Sequence, residues 1–234
     1  MRRALAALLL AVALAVAGCG GGDGERGTAT LWVTRDRGAV LLHETEVPAG
    51  QTLMRALRAV ADVETRFGGR FVQAIDGIEG SLTDQHDWFW FVNGYEGDRS
   101  AAEYRLHDGD VAWFDYRRWE REGEVRFVVG AFPEPLLHGY DGEVRPFVVL
   151  HAPGLQAAAE HVGRELGAAD VLPAGSRVDP AANVLELVEG EPQLRIEPRS
   201  GSGRAGSPVR IVFAGDVDDL LAGRIGRRSY TWPD

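Results

Sequence analysis

The stretch Asp87 to Gly97, "DWFWFVNGYEG", sets four aromatic rings side by side before an Asn-Gly pair. Aromatic residues in such a run favour a strand, where successive side chains point to opposite faces. Trp88, Trp90 and Val92 then share one face, and Phe89, Phe91 and Asn93 the other. Either both faces are buried within the protein, or one offers its rings to something outside the chain. Ten of the twenty aromatic residues fall between Trp88 and Trp119, so the same question extends to the strand around Trp113, Phe114, Asp115 and Tyr116. Asn93-Gly94 reads as a hairpin turn, and "HDGD" at 107–110 as another turn.

The neighbouring segments show what could cover these rings. "ATLWVTRD" and "AVLLHETEVPAG" read as two strands. Thr52 then caps a helix whose Leu53, Ala56, Leu57, Val60 and Ala61 recur at one-face spacing. "GRFVQAID", "DWFWFVNG", "AEYRL" and "VAWFDYRRW" supply further extended segments. The pattern predicts an α+β module over 28–119, a β-grasp-like sheet wrapped over one helix. One helix covers one face, which assigns Phe89, Phe91 and Phe114 to the core and Trp88, Trp90 and Trp113 to an open platform. The assignment rests on the indole N–H, which needs a partner and tolerates an exposed edge.

A second, small α+β domain is expected over 124–234. "EVRFVVGAF" alternates as a strand, "PFVVLH" follows, and Leu155, Ala158, Ala159, Val162 and Leu166 lie on one helix face with Gly167 as the stop. "NVLELV", "QLRIEP" and "PVRIVF" predict three more strands, and Asp216 caps a final helix through Leu221.

The N-terminus carries Met1-Arg2-Arg3, an apolar run from Ala4 to Ala17, and then "VAGC". That is the form of a secretory signal, and its apolar run is shorter than the roughly 18 residues of a membrane span. The ending resembles a lipobox, which implies a signal peptide over 1–18, lipidation of Cys19 and a flexible tether over 19–27. The chain would then be extracytoplasmic and anchored to the cell membrane through its lipid. Cys19 is the only cysteine, so no intramolecular disulfide is available. The net charge of −10 argues against nucleic acid, whose phosphates call for a basic face.

"WFWFVNG", "EYRLHDGDVAWFDY" and "VPAGQTLMRALRAV" together resemble the bacterial surface domain related to the C-terminal domain of transcobalamin and intrinsic factor. The resemblance spans about 28–119 and implies a domain that binds a soluble ligand, a corrinoid in the animal relatives. Those carriers close on the ligand with a large helical barrel as well, and no pattern for one is present. The expected ligand-binding residues are Trp88, Trp90, Asn93, Tyr95, Tyr104, Trp113 and Tyr116. Their rings would form the walls, with Asn93 as a hydrogen-bonding group. An uptake transporter is the partner that such a capture protein implies. A surface interaction or scaffold module without a small ligand is the alternative.

Catalysis is not expected. The six histidines are scattered without a ligand spacing, and neither a nucleophile elbow nor a phosphate-binding glycine loop occurs. No catalytic residue, metal or cofactor is therefore assigned, and Asp216, Asp218 and Asp219 read as a helix start. The anchor is directly testable. Cys19→Ala is expected to leave the precursor unprocessed or to shift the protein out of the membrane fraction; unchanged retention with an unmodified N-terminus removes the lipoprotein reading.

Overall fold

In the computed structural model, β1 (Thr28–Arg35) is the second strand of the first sheet, antiparallel to the edge strand β2 (Val40–Pro48). The described residues are 27–119, 125–199 and 203–228, so Cys19 and the signal segment lie outside them. After β2 comes α1 (Leu53–Val60), capped by Thr52, whose Oγ1 accepts from Arg55 N at 3.3 Å. A separate three-stranded sheet follows, built from β3 (Val63–Arg66), β4 (Phe71–Ile75) and β5 (Ile78–Glu79). The aromatic stretch is β6 (His86–Val92), which turns through Asn93-Gly94 into the short β7 (Tyr95–Glu96). β8 (Val111–Arg118) then enters between β1 and β6, giving the order β2-β1-β8-β6-β7 with β1 and β8 parallel.

The second half holds α2 (Glu134–Leu137), β9 (Phe147–His151), α3 (Gln156–Leu166), β10 (Asp170–Pro173), β11 (Asn183–Leu187), β12 (Gln193–Pro198), β13 (Val209–Ala214) and α4 (Val217–Leu221). Its sheet runs β10-β9-β11-β13-β12, parallel except for the edge strand β12. All five residues of β9 are buried, as a parallel strand covered on both faces should be. α3 stops at Gly167, whose φ of 76° is the left-handed conformation glycine adopts at least cost. Among the described residues, no helix is long and apolar enough to cross a membrane. The chain is α+β, with strands predominating.

Both faces of β6 are packed against other segments of the chain, and register decides which rings meet. Trp90 lies opposite Phe114 and Trp88 opposite Tyr116, so these four share the face covered by Leu53, Met54, Ala56 and Leu57 of α1. Trp113 lies opposite Phe91. The expected grouping of Trp113 with Trp88 and Trp90 is thus corrected: alternation fixes faces within a strand, but only pairing fixes them between strands. Trp32, Phe91 and Trp113 form the opposite face, beneath Val125, Val128 and Ala131. Those three recur every third residue, and the segment is no strand. It makes one bridge, Phe127 to Tyr95, and a single 3-10 turn at Val129–Ala131. "AEYRL" likewise contributes only a bridge from Arg105 to Thr52.

The halves share one hydrophobic core, in which Val92, Tyr95 and Phe114 join Phe127, Leu136, Tyr140, Phe147 and Val149. A buried polar knot ties them further. Asn93 Nδ2 donates to Asp110 Oδ1 at 2.7 Å and to the Gly139 carbonyl at 3.0 Å, while its Oδ1 accepts from Val111 N at 2.7 Å. Asp110 Oδ2 accepts from His107 N at 2.8 Å and from the Tyr104 hydroxyl at 3.4 Å. Burial raises the Asp110 carboxyl above its ordinary value, against the lowering effect of these bonds. Asp110→Ala would leave several buried donors without an acceptor, and is expected to cost about 3 kcal/mol, since each orphaned group costs roughly 1–3 kcal/mol. Chemical denaturation measures this directly, and a loss below about 0.5 kcal/mol would show the knot to be dispensable.

Candidate functional site

The pairing of β6 explains where a site can form. β7 pairs only with Phe91 and Val92, and a bridge from Ser81 engages His86. Between these two contacts, residues 87–89 have β8 on one side and a groove on the other. The groove encloses about 500 Å³. One wall is the turn after β3 with the start of β4, contributing Phe67, Arg70, Phe71 and Val72. The other is the segment from Glu96 to Ala101, and the floor comes from Asp87, Trp88, Phe89, Trp90 and Phe114.

Two local features hold the rings in place. Gly97 lies against Trp90 so closely that a Cβ there would sit 2.1 Å from the indole. Any other residue at 97 must displace the ring. Trp90 also packs on Tyr104, centroid to centroid 5.5 Å, while Trp88 donates its Nε1–H to the Ile78 carbonyl at 2.8 Å. The second feature is the turn carrying Phe67. Phe67 has a φ of 52° and is 77% exposed, and Gly68 and Gly69 follow it with positive φ as well. A bulky residue in the left-handed region is strained, and such outliers concentrate at ligand clamps. Phe71, 38% exposed, meets Phe67 edge to face at 6.2 Å.

The electrostatics are uneven. Arg70 pairs with Glu103 at 2.7 Å, and Ser100 Oγ donates to the Arg70 carbonyl at 2.5 Å, which links the two walls. Arg99 pairs with Asp98 at 2.8 Å and Asp141 at 2.9 Å. Asp87 Oδ1 accepts from Trp88 N at 2.8 Å, and burial is the main influence raising its carboxyl above the ordinary value.

Of the seven residues expected at a ligand, Trp88 and Trp90 line this groove. Tyr116 borders it indirectly, its ring 5.2 Å from that of Trp88 and its hydroxyl donating to the Glu79 carbonyl at 3.0 Å. Asn93, Tyr95, Tyr104 and Trp113 are buried in the core. Each has a structural role there. Asn93 shapes the turn with a φ of 51° and joins the knot. Tyr95 packs on Phe127 and Tyr140, and burial pushes its phenol up to about 12. Tyr104 bonds Asp110 and receives Asp141 N. Trp113 donates to Thr34 Oγ1 at 2.7 Å. Phe67, Phe71 and Asp87 were not expected at the site. The signal for Phe67 was present in "RFGGR", where two glycines behind a ring permit the turn that turns it outward.

No cluster of histidine, cysteine and carboxylate residues able to hold a metal occurs among the described residues. A second depression, about 530 Å³, is lined by Trp32, Glu44, Glu46, Glu134 and Arg227, and is more polar.

Residues 50–118 match the model of a family described as a domain of unknown function, DUF4430. No curated protein matches the sequence. Among solved structures, the chain is similar to a Ruminococcus gnavus protein to which metal binding is ascribed, at 20% identity and a TM-score of 0.34, over 39% of this chain and 97% of that one. It is also similar to haptocorrin in complex with Cbi, at 14% identity and a TM-score of 0.35, over 43% of this chain. The match spans 27% of the haptocorrin chain. At these scores neither likeness carries an argument about function.

Proposed function

We propose that the protein is a lipid-anchored, extracytoplasmic binding protein whose first sheet is a β-grasp module and whose groove beside β6 takes a small, largely apolar ligand. The observation that carries this reading is the strained, exposed Phe67 held with Phe71 across a groove from Trp88 and Trp90. Aromatic walls with a few placed polar groups are the usual make-up of a ligand pocket. The β-grasp assignment draws on the order β2-β1-β8-β6 with its central parallel pair and its single crossover helix. A corrinoid is the ligand class implied by the resemblance at Trp88 to Gly94, and delivery to an uptake transporter is the corresponding role. Catalysis has no place in this reading. The scaffold alternative finds its support on the other face, where residues 125–131 cover Trp32, Phe91 and Trp113.

A ligand screen of the purified full chain, read by tryptophan fluorescence and including corrinoids, tests the proposal. Binding is expected to fall about tenfold or more in Phe67→Ala, since a ring truncated at the centre of a site commonly costs above about 1 kcal/mol. The same change is expected to leave folding stability within about 0.5 kcal/mol, because the ring is exposed. Trp113→Ala should behave oppositely, losing about 3–5 kcal/mol of stability as a core truncation does. A ligand whose affinity ignores Phe67→Ala would place its site elsewhere.

A further inference from the structure

The floor of the groove carries one ionisable group, Asp87, that no ion pair engages among the described residues, and the arginine whose charge acts on it, Arg66, is itself paired with Glu79. Both arginines at its edge are engaged, Arg70 with Glu103 and Arg99 with Asp98 and Asp141. Asp87, on the floor, bonds the N–H of its neighbour Trp88 and makes no ion pair among the described residues. Burying a carboxylate without a partner is costly, and the free protein meets that cost by holding the carboxyl above its usual range. The residues around it are rings: Phe67, Phe71, Trp88, Phe89 and Trp90. Aromatic faces attract cations through their quadrupole, Trp most strongly. Phe89 already does so here, with the Arg117 guanidinium 3.7 Å from its ring centroid.

We infer that the groove selects an organic cation, an ammonium group carrying apolar substituents, with its charge set against the Asp87 carboxylate and over the faces of Phe67, Phe71 and Trp90. This rests on the groove being a ligand site and narrows the class of ligand it takes. A bare metal ion would not fit, since it needs several oxygen or nitrogen ligands and the groove offers two carboxylates, Asp87 on the floor and Glu96 on one wall, with no metal-holding cluster among the described residues. A neutral apolar ligand would fill the volume but bring no opposite charge to Asp87, which has only the Trp88 N–H and the more distant Arg66 charge to stabilise it. An anion would meet the carboxylate directly. The chain's net charge of −10 favours cation approach from solution in the same sense.

The test compares choline with its uncharged carbon isostere, 3,3-dimethylbutan-1-ol, titrated into the purified full chain and followed by tryptophan fluorescence and by NMR of the indole N–H groups. Choline is expected to bind about tenfold more tightly than the alcohol, the order of one desolvated cation–π contact with a nearby carboxylate. Asp87→Asn keeps the oxygen that accepts from Trp88 N, and is expected to reduce the preference to within about twofold without lowering the melting temperature. Equal binding of the two probes, or a preference that survives in Asp87→Asn, overturns the inference. If neither probe binds while an apolar ligand from the screen still does, and loses affinity in Phe67→Ala, the cation inference fails and the groove reading stands. If Phe67→Ala affects no ligand at all, both fail.

Discussion

The Asp110 carboxylate is the point on which the two halves of the protein depend. It is buried beneath the turn between the last two segments of the first sheet, where it accepts from Asn93, His107 and Tyr104 at once. A buried charge tolerates little rearrangement, because each donor lost leaves it less compensated. Its partners are therefore held in register, and they lie on two separate segments, the turn after β6 and the loop before β8. Asn93 reaches on to Gly139, and Tyr104 receives Asp141 N, so the same knot fixes where the second half begins. Tyr140, between those two, packs on Tyr95 and Tyr104 and bonds Asp98 at 2.7 Å. The wall of the groove that contains Asp98 and Arg99 is thus braced from behind by the second half.

This bracing gives the two faces of β6 different fates. The face with Phe91 and Trp113 is closed by residues 125–131 of the same chain. The face with Trp88 and Trp90 is closed by α1 along most of its length and is left open only beside residues 87–89, where β7 has ended. A sheet edge stopped short in this way is where backbone and side chains can both face a ligand. The groove opens where β7 ends at Glu96 and Gly97, after a last bond from its N–H to the Trp90 carbonyl at 3.0 Å, leaves the strand.

Much of the fold was legible because the relevant signals are local. Thr52 with Leu53, Ala56 and Leu57 marks α1, Gly167 ends α3, and Asp216 caps α4 by accepting from Asp218 N. The pairing of β8 was not legible, since the alternation of Trp113 with Phe114 fits either register. Nor was the path of 125–131, whose alternating appearance hides contacts at Val125, Val128 and Ala131 on one cluster and at Phe127 and Val129 on another. β10 has only four residues, exposed at both ends, and presents no periodicity long enough to read. At the candidate site, aromatic density pointed to the strand that forms the floor of the groove. It could not separate Trp88 and Trp90, at the groove, from Trp113, because burial is decided by residues more than ten positions away.

The closing contacts come from the far end of the chain. Glu44 receives Arg227 and Arg228 at 2.6 Å each, the second across 184 residues, and Arg228 N donates to the Gly130 carbonyl. Both arginines stand over the Trp32 ring, at 5.8 and 5.9 Å. During synthesis, β1, β2, β6 and β8 all emerge before residues 125–131, which cover this face, and well before Arg227 and Arg228 reach Trp32. A nascent or prematurely terminated chain that pairs those strands exposes Trp32, Phe91 and Trp113 as a sticky aromatic sheet, the kind of surface that drives aggregation of partly folded species. Pairings this distant in sequence also slow folding, since loop closure precedes the contacts that reward it. The cover over this face is therefore laid in two stages, first by residues 125–131 and then, over Trp32, by Arg227 and Arg228.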